Sequence, residues 1–379
     1  MKMKKRAWWI VLLLLCLALP ALAQAGAPTP RESAREVWRE TGLLLPIPTA
    51  AHDIAYATES DALAQVSFSY DGDLFVLRLQ KTPALADVSG GYAGFDVAMA
   101  DEEYEDYQCV TADNGSDRLA WWFDAERSVS GALRCSSDGV ADFHLVLYDV
   151  LAGLRRGFCY AGSLTYEAGA FSLRYPLVQA DDDALTEKLN ANLLQAVQAV
   201  AASFAPDARL DNAYLSVEIT GKVFTAEWGG LLVAPGAPYE DYHLFTAHVD
   251  GETGELAPLR ALLDTDELAE KTYPQLIQFM VSQDWDDDAV DEAQREYLAQ
   301  LSLDDWKGML RRADFPTEEG WPPVFSAWRD GGYFRDGNED ELPCLLLYVV
   351  VPHALQNQIT LSIPFAQLDM GLADALHVQ

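Results

Sequence analysis

Residues 342–364 constrain the fold of this chain more than any other segment. They contain the longest apolar run outside the N-terminal leader, and Pro352 and His353 interrupt that run. A second run follows, in which apolar and polar residues alternate up to Pro364. Two such runs around a Pro-containing turn are typical of paired β-strands. The sequence therefore predicts that residues 342–364 form the central hairpin of a C-terminal domain.

The first half of the chain has the pattern of a second antiparallel sheet. Alternating apolar residues at 62–70 and 74–80 flank the turn Asp71-Gly72, which predicts a β-hairpin. A helix is expected at 141–151, from apolar residues four apart. Further strands are expected at 52–58, 88–92, 108–112, 119–124 and 129–135. We predict an N-terminal α+β domain over residues 45–155, in which this helix packs on one face of the sheet.

The second half alternates between strand and helix patterns. The glycine-rich residues 153–169 are expected to carry the chain across to it. A long helix is predicted to start at residues 181–183, with these aspartates as N-terminal caps and one continuous apolar stripe. Strands are expected at 171–178, 214–220, 223–233, 243–249, 324–328 and 333–335, and helices at 267–281, at 289–301 and after Ser302. The predicted C-terminal domain covers residues 170–379 and is again an antiparallel sheet with helices on one face, so the chain has two α+β domains.

The N-terminus has the three parts of an export signal. Basic residues come first, an apolar segment follows over residues 8–19, and Ala21-Leu22-Ala23 provides a cleavage site. We predict a signal peptide over residues 1–23, with cleavage after residue 25 as an alternative, and a linker with a short helix over residues 24–44. The apolar segment is short for a transmembrane helix, so no stable membrane span is expected after cleavage. Lipidation at Cys16 and retention of the leader as an anchor stay open.

The acidity of the chain narrows the classes of partner. It has 59 Asp and Glu against 26 Lys and Arg, and removal of the four leader cations would change its formal charge from −33 to −37. Nucleic-acid binding needs a positive surface, so it is excluded as a main role. A negative surface attracts cationic partners, such as a basic protein or a cell-wall component. Solubility of an exported protein is the alternative explanation.

The sequence predicts no cofactor and no metal site. Two acidic runs, from Asp284 and from Asp336, begin like a calcium loop but lack its Gly at position six and its Glu at position twelve. There is no C-x-x-C and no zinc-like spacing of Cys and His. One disulfide among the first three cysteines after the leader is compatible with an oxidising compartment, and the spacing favours no particular pair. The four cysteines after the leader are Cys109, Cys135, Cys159 and Cys344.

No residue is assigned a catalytic or binding role from the sequence. The nucleophile motifs of serine hydrolases and the metalloprotease motif are missing. His243 and His248 are an odd number of residues apart, which places them on opposite faces of one strand. His353 is either a site residue or a structural residue of its turn, and the second is favoured. One of the adjacent Trp121 and Trp122 could be exposed for stacking, although packing in the sheet is the default.

Several short motifs in the second half occur in the order seen in a known family. They are residues 173–177 (LRYPL), 189–190 (LN), 220–228, 248–255 (HVDGETGE) with 259–263, and 347–354 (LYVVVPHA) with 359–364. In this order, residues 171–372 resemble the extracytoplasmic domain of unknown function shared by RsiV-type anti-sigma factors and PdaC-type peptidoglycan deacetylases. His353 replaces the family's usual aromatic residue after the proline. The first half resembles small sheet domains of exported bacterial proteins.

This resemblance implies a receptor domain. In the anti-sigma factors the domain recognises lysozyme, a basic protein. The chain has neither a sigma-binding segment nor a deacetylase module, so the expectation is an extracytoplasmic protein, secreted or wall-associated. We predict a non-enzymatic binding or accessory protein of the bacterial cell envelope that recognises a cationic protein. The alternative is a glycan-acting enzyme with paired carboxylates, which 59 acidic residues do not exclude. The ligand and the oligomeric state stay open.

Overall fold

The alternating runs of the sequence form antiparallel sheets in a computed structural model of the chain. The predicted α+β class is confirmed. Two compact units are present, an N-terminal unit (Met1–Gly162 with Gln179–Asp181) and a C-terminal unit (Ser163–Val178 with Asp182–Gln379). The structure describes residues 28–90, 100–104, 107–136, 143–204, 207–233, 241–281, 288–314, 321–329, 343–368 and 376. The predicted signal peptide and the expected strand at 333–335 lie outside these residues.

The described part of the N-terminal unit is built on one antiparallel sheet of eight strands, in the order β1-β2-β3-β4-β8-β7-β6-β5. The predicted hairpin is confirmed: β3 and β4 are joined at Asp71 and Gly72, whose φ angles of 49° and 87° are those of a tight hairpin turn. The elements are β1 (Thr29–Arg31), α1 (Ala34–Thr41), β2 (His52–Ser60), β3 (Leu63–Tyr70), β4 (Asp73–Lys81), β5 (Ala100–Tyr104), β6 (Tyr107–Asp113), β7 (Asp117–Asp124), β8 (Val129–Ser136) and α2 (Phe143–Arg156).

The strands β9 (Phe158–Ala168) and β10 (Phe171–Ala180) form a pair, and most of their residues belong to the C-terminal unit. In the C-terminal unit, β11-β12-β13 and β14-β15-β16 form two antiparallel sheets. The elements are α3 (Asp183–Ser203), β11 (Arg209–Thr220), β12 (Val223–Val233), β13 (Asp241–Asp250), α4 (Leu259–Leu262), α5 (Thr265–Thr272), a 3₁₀ turn (Tyr273–Gln275), α6 (Leu276–Phe279), α7 (Asp288–Gln300), α8 (Leu303–Arg311), β14 (Val324–Arg329), β15 (Cys344–Val350), a 3₁₀ turn (His353–Leu355), β16 (Gln358–Pro364) and α9 (Phe365–Leu368).

The hairpin predicted at 342–364 is present. β15 pairs with β14 on one side and with β16 on the other, so it is the central strand of its sheet. Its residues from Cys344 to Val349 are buried, and Leu345, Leu347 and Val349 belong to a core that also contains Trp306 and Trp328. This burial on both faces explains why the run is apolar without interruption.

Helix ends follow the capping chemistry of the sequence. Asp182 accepts a hydrogen bond of 2.7 Å from the backbone N–H of Leu185 at the start of α3. Ser302 and Asp305 form a reciprocal capping box at the start of α8. Both helices therefore begin at the predicted positions.

Residues 153–169, which were expected to carry the chain to the second half, contain the end of α2 at Arg156 and the strand β9; a side chain at Gly153 would lie 2.6 Å from Pro46. Two expectations about element bounds are wrong. Residues 267–281 are not one helix, since the helical run passes through a 3₁₀ turn that contains Pro274. Val88 is buried against Leu119 and outside any strand, and the rest of 88–92 beyond Gly90 lies outside the described residues.

Candidate functional site

One face of the sheet β11-β12-β13 carries a row of polar residues. Thr225, Glu227 and Gly229 are two residues apart on β12, so they share that face. Their partners are Glu218, Ser216 and Tyr214 on β11 and His248, Thr246 and Leu244 on β13. Several of these polar side chains are buried, and burial of a polar group is costly unless the group is hydrogen-bonded. Their partners therefore show how the C-terminal unit is held together.

Glu227 is the centre of the first polar cluster. Its side chain is nearly buried and accepts hydrogen bonds from the hydroxyls of Tyr348 (2.9 Å) and Tyr214 (3.2 Å). Arg329 donates to the same carboxylate at 2.9 Å and pairs with Glu218 at 3.3 Å. Burial lowers the pKa of Arg329, but Glu227, Tyr348 and Glu218 raise it by more, so the net shift is upward. The two carboxylates share one cation, which favours a structural ion pair over an acid–base pair.

A small cavity adjoins the Glu227 cluster. Its volume is about 60 Å³. Aromatic rings make up much of its lining: Tyr242, His243, Trp321, Phe325 and Tyr348. Tyr348 connects the cavity to Glu227 directly, and Tyr242 connects through a 3.1 Å hydrogen bond between its hydroxyl and that of Tyr214. We refer to this space as the aromatic cavity.

A glycine makes room for the tyrosines. A side chain at Gly229 would lie 2.3 Å from the ring of Tyr214 and 2.5 Å from the hydroxyl of Tyr242. Contacts this short cannot be accommodated without moving the tyrosines. Glycine inside a strand weakens the strand and commonly marks such a close approach. The Gly229-Gly230 pair therefore belongs to the geometry of the aromatic cavity.

The turn of the 344–364 hairpin forms another wall of the cavity. Val350, Val351, Asn357 and Gln358 all contribute to the lining. Asn357 has a φ of 69°, a left-handed conformation that Asn adopts more readily than most residues, and its carbonyl accepts from the N–H of Val351 at 2.9 Å. This turn places Asn357 and Gln358 in the same lining as the aromatic residues.

A negatively charged carboxylate, that of Asp241, lies at one side of the cavity. Burial lowers the pKa of His243, and Asp241 only partly opposes this, so the imidazole is neutral at pH 7. None of the residues described as lining the cavity is Lys or Arg. The carboxylate of Asp241 lies 2.6 Å from Nδ1 of His353, and both side chains are partly exposed. His353 thus ties the hairpin turn to the start of β13.

A second polar cluster on the same sheet face is sealed. The hydroxyl of Ser326 donates to Asp314 at 2.6 Å and lies 3.1 Å from Nε2 of His248, whose Nδ1 lies 3.0 Å from the hydroxyl of Thr225. Asp314 also accepts the backbone N–H groups of Ser326 (2.6 Å) and Leu259 (3.0 Å). Burial raises the pKa of Asp314, but His248 and these hydrogen bonds lower it by more.

The sealed cluster contains Ser, His and Asp but has no arrangement for nucleophilic catalysis. In a catalytic triad the Asp holds Nδ1 of the His, whereas Asp314 contacts Ser326 directly and Thr225 is at Nδ1. Ser326 and Asp314 have no exposed surface, so a substrate cannot reach them. The cluster instead links β12, β13, β14 and the start of α4.

The remaining residues considered in the sequence have structural surroundings. His243 and His248 lie on opposite faces of β13, as predicted: His243 contacts the rings of Phe204 and Trp321, while His248 is in the sealed cluster. Trp122 is buried over Gly131, and Trp121 is partly buried. The four cysteines after the leader are buried, and none of them forms a disulfide in the described part of the chain. The calcium-like runs at 284 and 336 begin outside the described residues.

Two negative findings apply to the described residues alone. No group of three or more His, Cys, Asp or Glu side chains converges there as a metal site would require. The helices of that part of the chain are all too short or too polar to cross a bilayer.

The sequence reasoning missed Glu227, Arg329 and Tyr348. Arg329 and Tyr348 are 102 and 121 positions from Glu227, and no local motif joins them to it. The one available signal was Gly229-Gly230 in the interior of a predicted strand, which predicts a close approach at that point. The acidic residue two positions before this glycine pair would then have been a candidate.

Comparison with known proteins gives little further information. No family model matches the chain, and no curated protein matches it. The comparison with solved structures matches the chain to a crystal structure of a DUF3298 family protein from Pseudomonas aeruginosa PAO1, with a TM-score of 0.27 and 14% sequence identity. The match covers 55% of this chain and 91% of that protein.

Proposed function

We propose that this chain is a non-enzymatic binding protein of the bacterial cell envelope that recognises a cationic protein. It acts outside the cytoplasm, secreted or associated with the wall, after removal of residues 1–23. The ligand class is a basic protein such as a lysozyme. The oligomeric state has no part in the proposal.

The observation that carries the proposal is the combination of charge and cavity. The chain has a formal charge of −33, and the described residues that line its aromatic cavity include no Lys or Arg. A negative surface accelerates the encounter with a basic protein, and an aromatic recess provides a contact that excludes water. The resemblance of residues 171–372 to lysozyme-receptor domains supports the same class of ligand.

The non-enzymatic part of the proposal is supported by the state of the polar groups. The carboxylate pair Glu218 and Glu227 is bridged by Arg329, and the only Ser-His-Asp grouping among the described residues is sealed. Neither arrangement offers a general acid or a nucleophile to a substrate. Incubation with peptidoglycan should therefore release no soluble fragments.

The direct test is a titration with hen lysozyme by isothermal calorimetry. We expect binding at an ionic strength of about 0.01 M, and weaker binding at about 0.15 M, because the Debye length falls from about 30 Å to about 8 Å over that range. Cytochrome c, a basic protein of another fold, serves as a control for charge alone. An acidic protein of similar size controls for non-specific adhesion.

Two results would reject the proposal. One is the lack of binding to either basic protein at the lower ionic strength. The other is release of soluble glycan from peptidoglycan by the purified chain, lost in a Glu227→Gln variant, which would indicate the carboxylate-based enzyme instead.

A further inference from the structure

The aromatic cavity has the composition of a site for an organic cation. Aromatic rings attract cations through the negative charge of their faces. Rings of Tyr242, Trp321, Phe325 and Tyr348 line the cavity together. Trp321 is packed against the rings of Phe325 and His243, with centroid distances of 5.5 Å and 6.0 Å, so these walls support one another.

The charge around the cavity also favours a cation. Its imidazole, from His243, is neutral because burial disfavours the protonated form. Asp241 is next to the lining residue Tyr242 and acts electrostatically on His243. A positive group entering here would meet no fixed positive charge among the described lining residues, and it would be close to a carboxylate.

The size of the cavity selects a small group. A volume of about 60 Å³ is well below the roughly 300–1,000 Å³ of ordinary small-molecule pockets. One buried water needs about 10–15 Å³, so the cavity holds only a few non-hydrogen atoms. It fits the end of one side chain and excludes a sugar ring or a nucleotide.

Between the two common cationic side chains, the surroundings favour ammonium over guanidinium. A guanidinium group is planar and is best bound by a carboxylate that accepts two parallel hydrogen bonds. Glu227 is already paired with Arg329 at 2.9 Å, and one carboxylate oxygen of Asp241 lies 2.6 Å from Nδ1 of His353. An ammonium group is compact and can use ring faces and the amide groups of Asn357 and Gln358.

We propose that the aromatic cavity receives the ε-ammonium end of a lysine side chain from the partner protein. This inference rests on the proposed function, because it names the contact through which the basic partner is held. The negative surface of the chain brings the partner close, and the cavity selects an exposed lysine. Guanidinium, neutral apolar groups and water are the competing occupants.

The small probe n-butylammonium tests the cavity without any protein partner. The full chain, labelled with ¹⁵N, is titrated while the indole N–H signal of Trp321 is followed by NMR, assigned with Trp321→Phe. We expect a saturable shift with n-butylammonium and a response at least about tenfold weaker with n-butylguanidinium or 1-butanol. Equal responses to all three probes, or no response to n-butylammonium, would overturn the inference.

Three variants make the test specific. Val350 is half-buried at the cavity, so Val350→Lys supplies an internal ammonium and should abolish the shift. Asp241→Asn should weaken it without filling the cavity. Asp71→Asn removes the same charge from an exposed turn of the N-terminal unit, at a left-handed position that Asn tolerates, and should leave the shift unchanged. If Asp71→Asn weakens the response as much as Asp241→Asn, overall charge and not the cavity is responsible.

Chemical modification of lysozyme separates this inference from the proposed function. Guanidination converts its lysines to homoarginines and keeps their charge. We expect about tenfold weaker binding of guanidinated than of native lysozyme. Equal binding of both forms would reject the lysine contact and leave the proposed function standing, whereas failure of native lysozyme and cytochrome c to bind would reject the proposed function itself.

Discussion

The sealed cluster around Asp314 and the open cluster around Glu227 lie on the same face of β12, two residues apart at Thr225 and Glu227. Each has a buried carboxylate held by hydrogen bonds from several elements. In the sealed cluster every partner is buried, and the acid is balanced by backbone N–H groups, hydroxyls and His248. In the open cluster the acid is balanced by Arg329, and two of the surrounding tyrosines line a cavity.

This difference shows that access matters more than residue type for assigning a site. The sealed cluster has the three residue types of a serine hydrolase and no route for a substrate. The open cluster has no nucleophile, yet it orients aromatic rings at a recess. The first cluster is therefore expected to determine stability, and the second to determine both stability and ligand binding.

The largest effect is expected from Asp314→Ala. It leaves the buried N–H groups of Ser326 and Leu259 without their acceptor, and it removes the partner of His248. Loss of one member of a buried charged network costs about 3–5 kcal/mol. Urea denaturation monitored by circular dichroism measures the change. Glu296→Ala, at an exposed position of α7, is the matched control and should change the free energy of unfolding very little; similar costs for both variants would refute a special role of the sealed cluster.

A smaller loss is expected from Glu227→Gln in the open cluster. The amide keeps an acceptor for one tyrosine but leaves Arg329 without its closest carboxylate, and hydrogen bonds to charged groups are worth about 1.5–3 kcal/mol. Glu218→Gln breaks the longer and more exposed pair with Arg329 and should cost less than about 1 kcal/mol. The same denaturation experiment compares them. A larger cost for Glu218→Gln would reverse our assignment of the central acid.

The smallest effect concerns the acid dependence of the sealed cluster. The pKa of Asp314 is lower in the folded chain than its ordinary value of 3.8. The ionised carboxylate therefore stabilises the fold fully above about pH 4, and this contribution is lost as the pH falls through the lower folded value. Asp314→Asn lacks this titration, so the stability difference between wild type and variant should narrow below pH 4. A stability difference that stays constant from about pH 6 to about pH 3 would show that folding does not lower the pKa of Asp314.

Much of the secondary structure could be predicted from local pattern. Residues 224–228 (FTAEW) alternate between apolar and polar side chains after the turn at Gly221, and β12 covers the predicted residues Val223–Val233. The Asp71-Gly72 turn and the Ser302 capping box are likewise decided by chemistry within a few residues. The errors arose where a residue's role depends on a distant contact. The close approach of Gly153 to Pro46 has no local signal, because the two residues are more than a hundred positions apart.

The candidate site could not be predicted for the same reason. Arg329 and Tyr348 reach Glu227 only because two sheets bring β12, β14 and β15 together. An acidic chain has many carboxylates that could pair with Arg329 or Tyr348, and the spacing of residues along the sequence does not identify which of them does. The left-handed turn at Gln356 and Asn357 is also a tertiary feature, since it closes the hairpin against Asp241 through His353.

The sequence by itself determined the α+β class, the two central hairpins, the helix starts and the negative charge. These properties depend on alternation, turn chemistry and composition, which act over a few residues or over the whole chain. The tertiary structure alone decided which polar residues are sealed and which adjoin a cavity, because burial depends on the packing of segments that are far apart in sequence. The hairpin at 342–364 shows both: its strands follow from their pattern, and its turn acquires a place in the candidate site only through the fold.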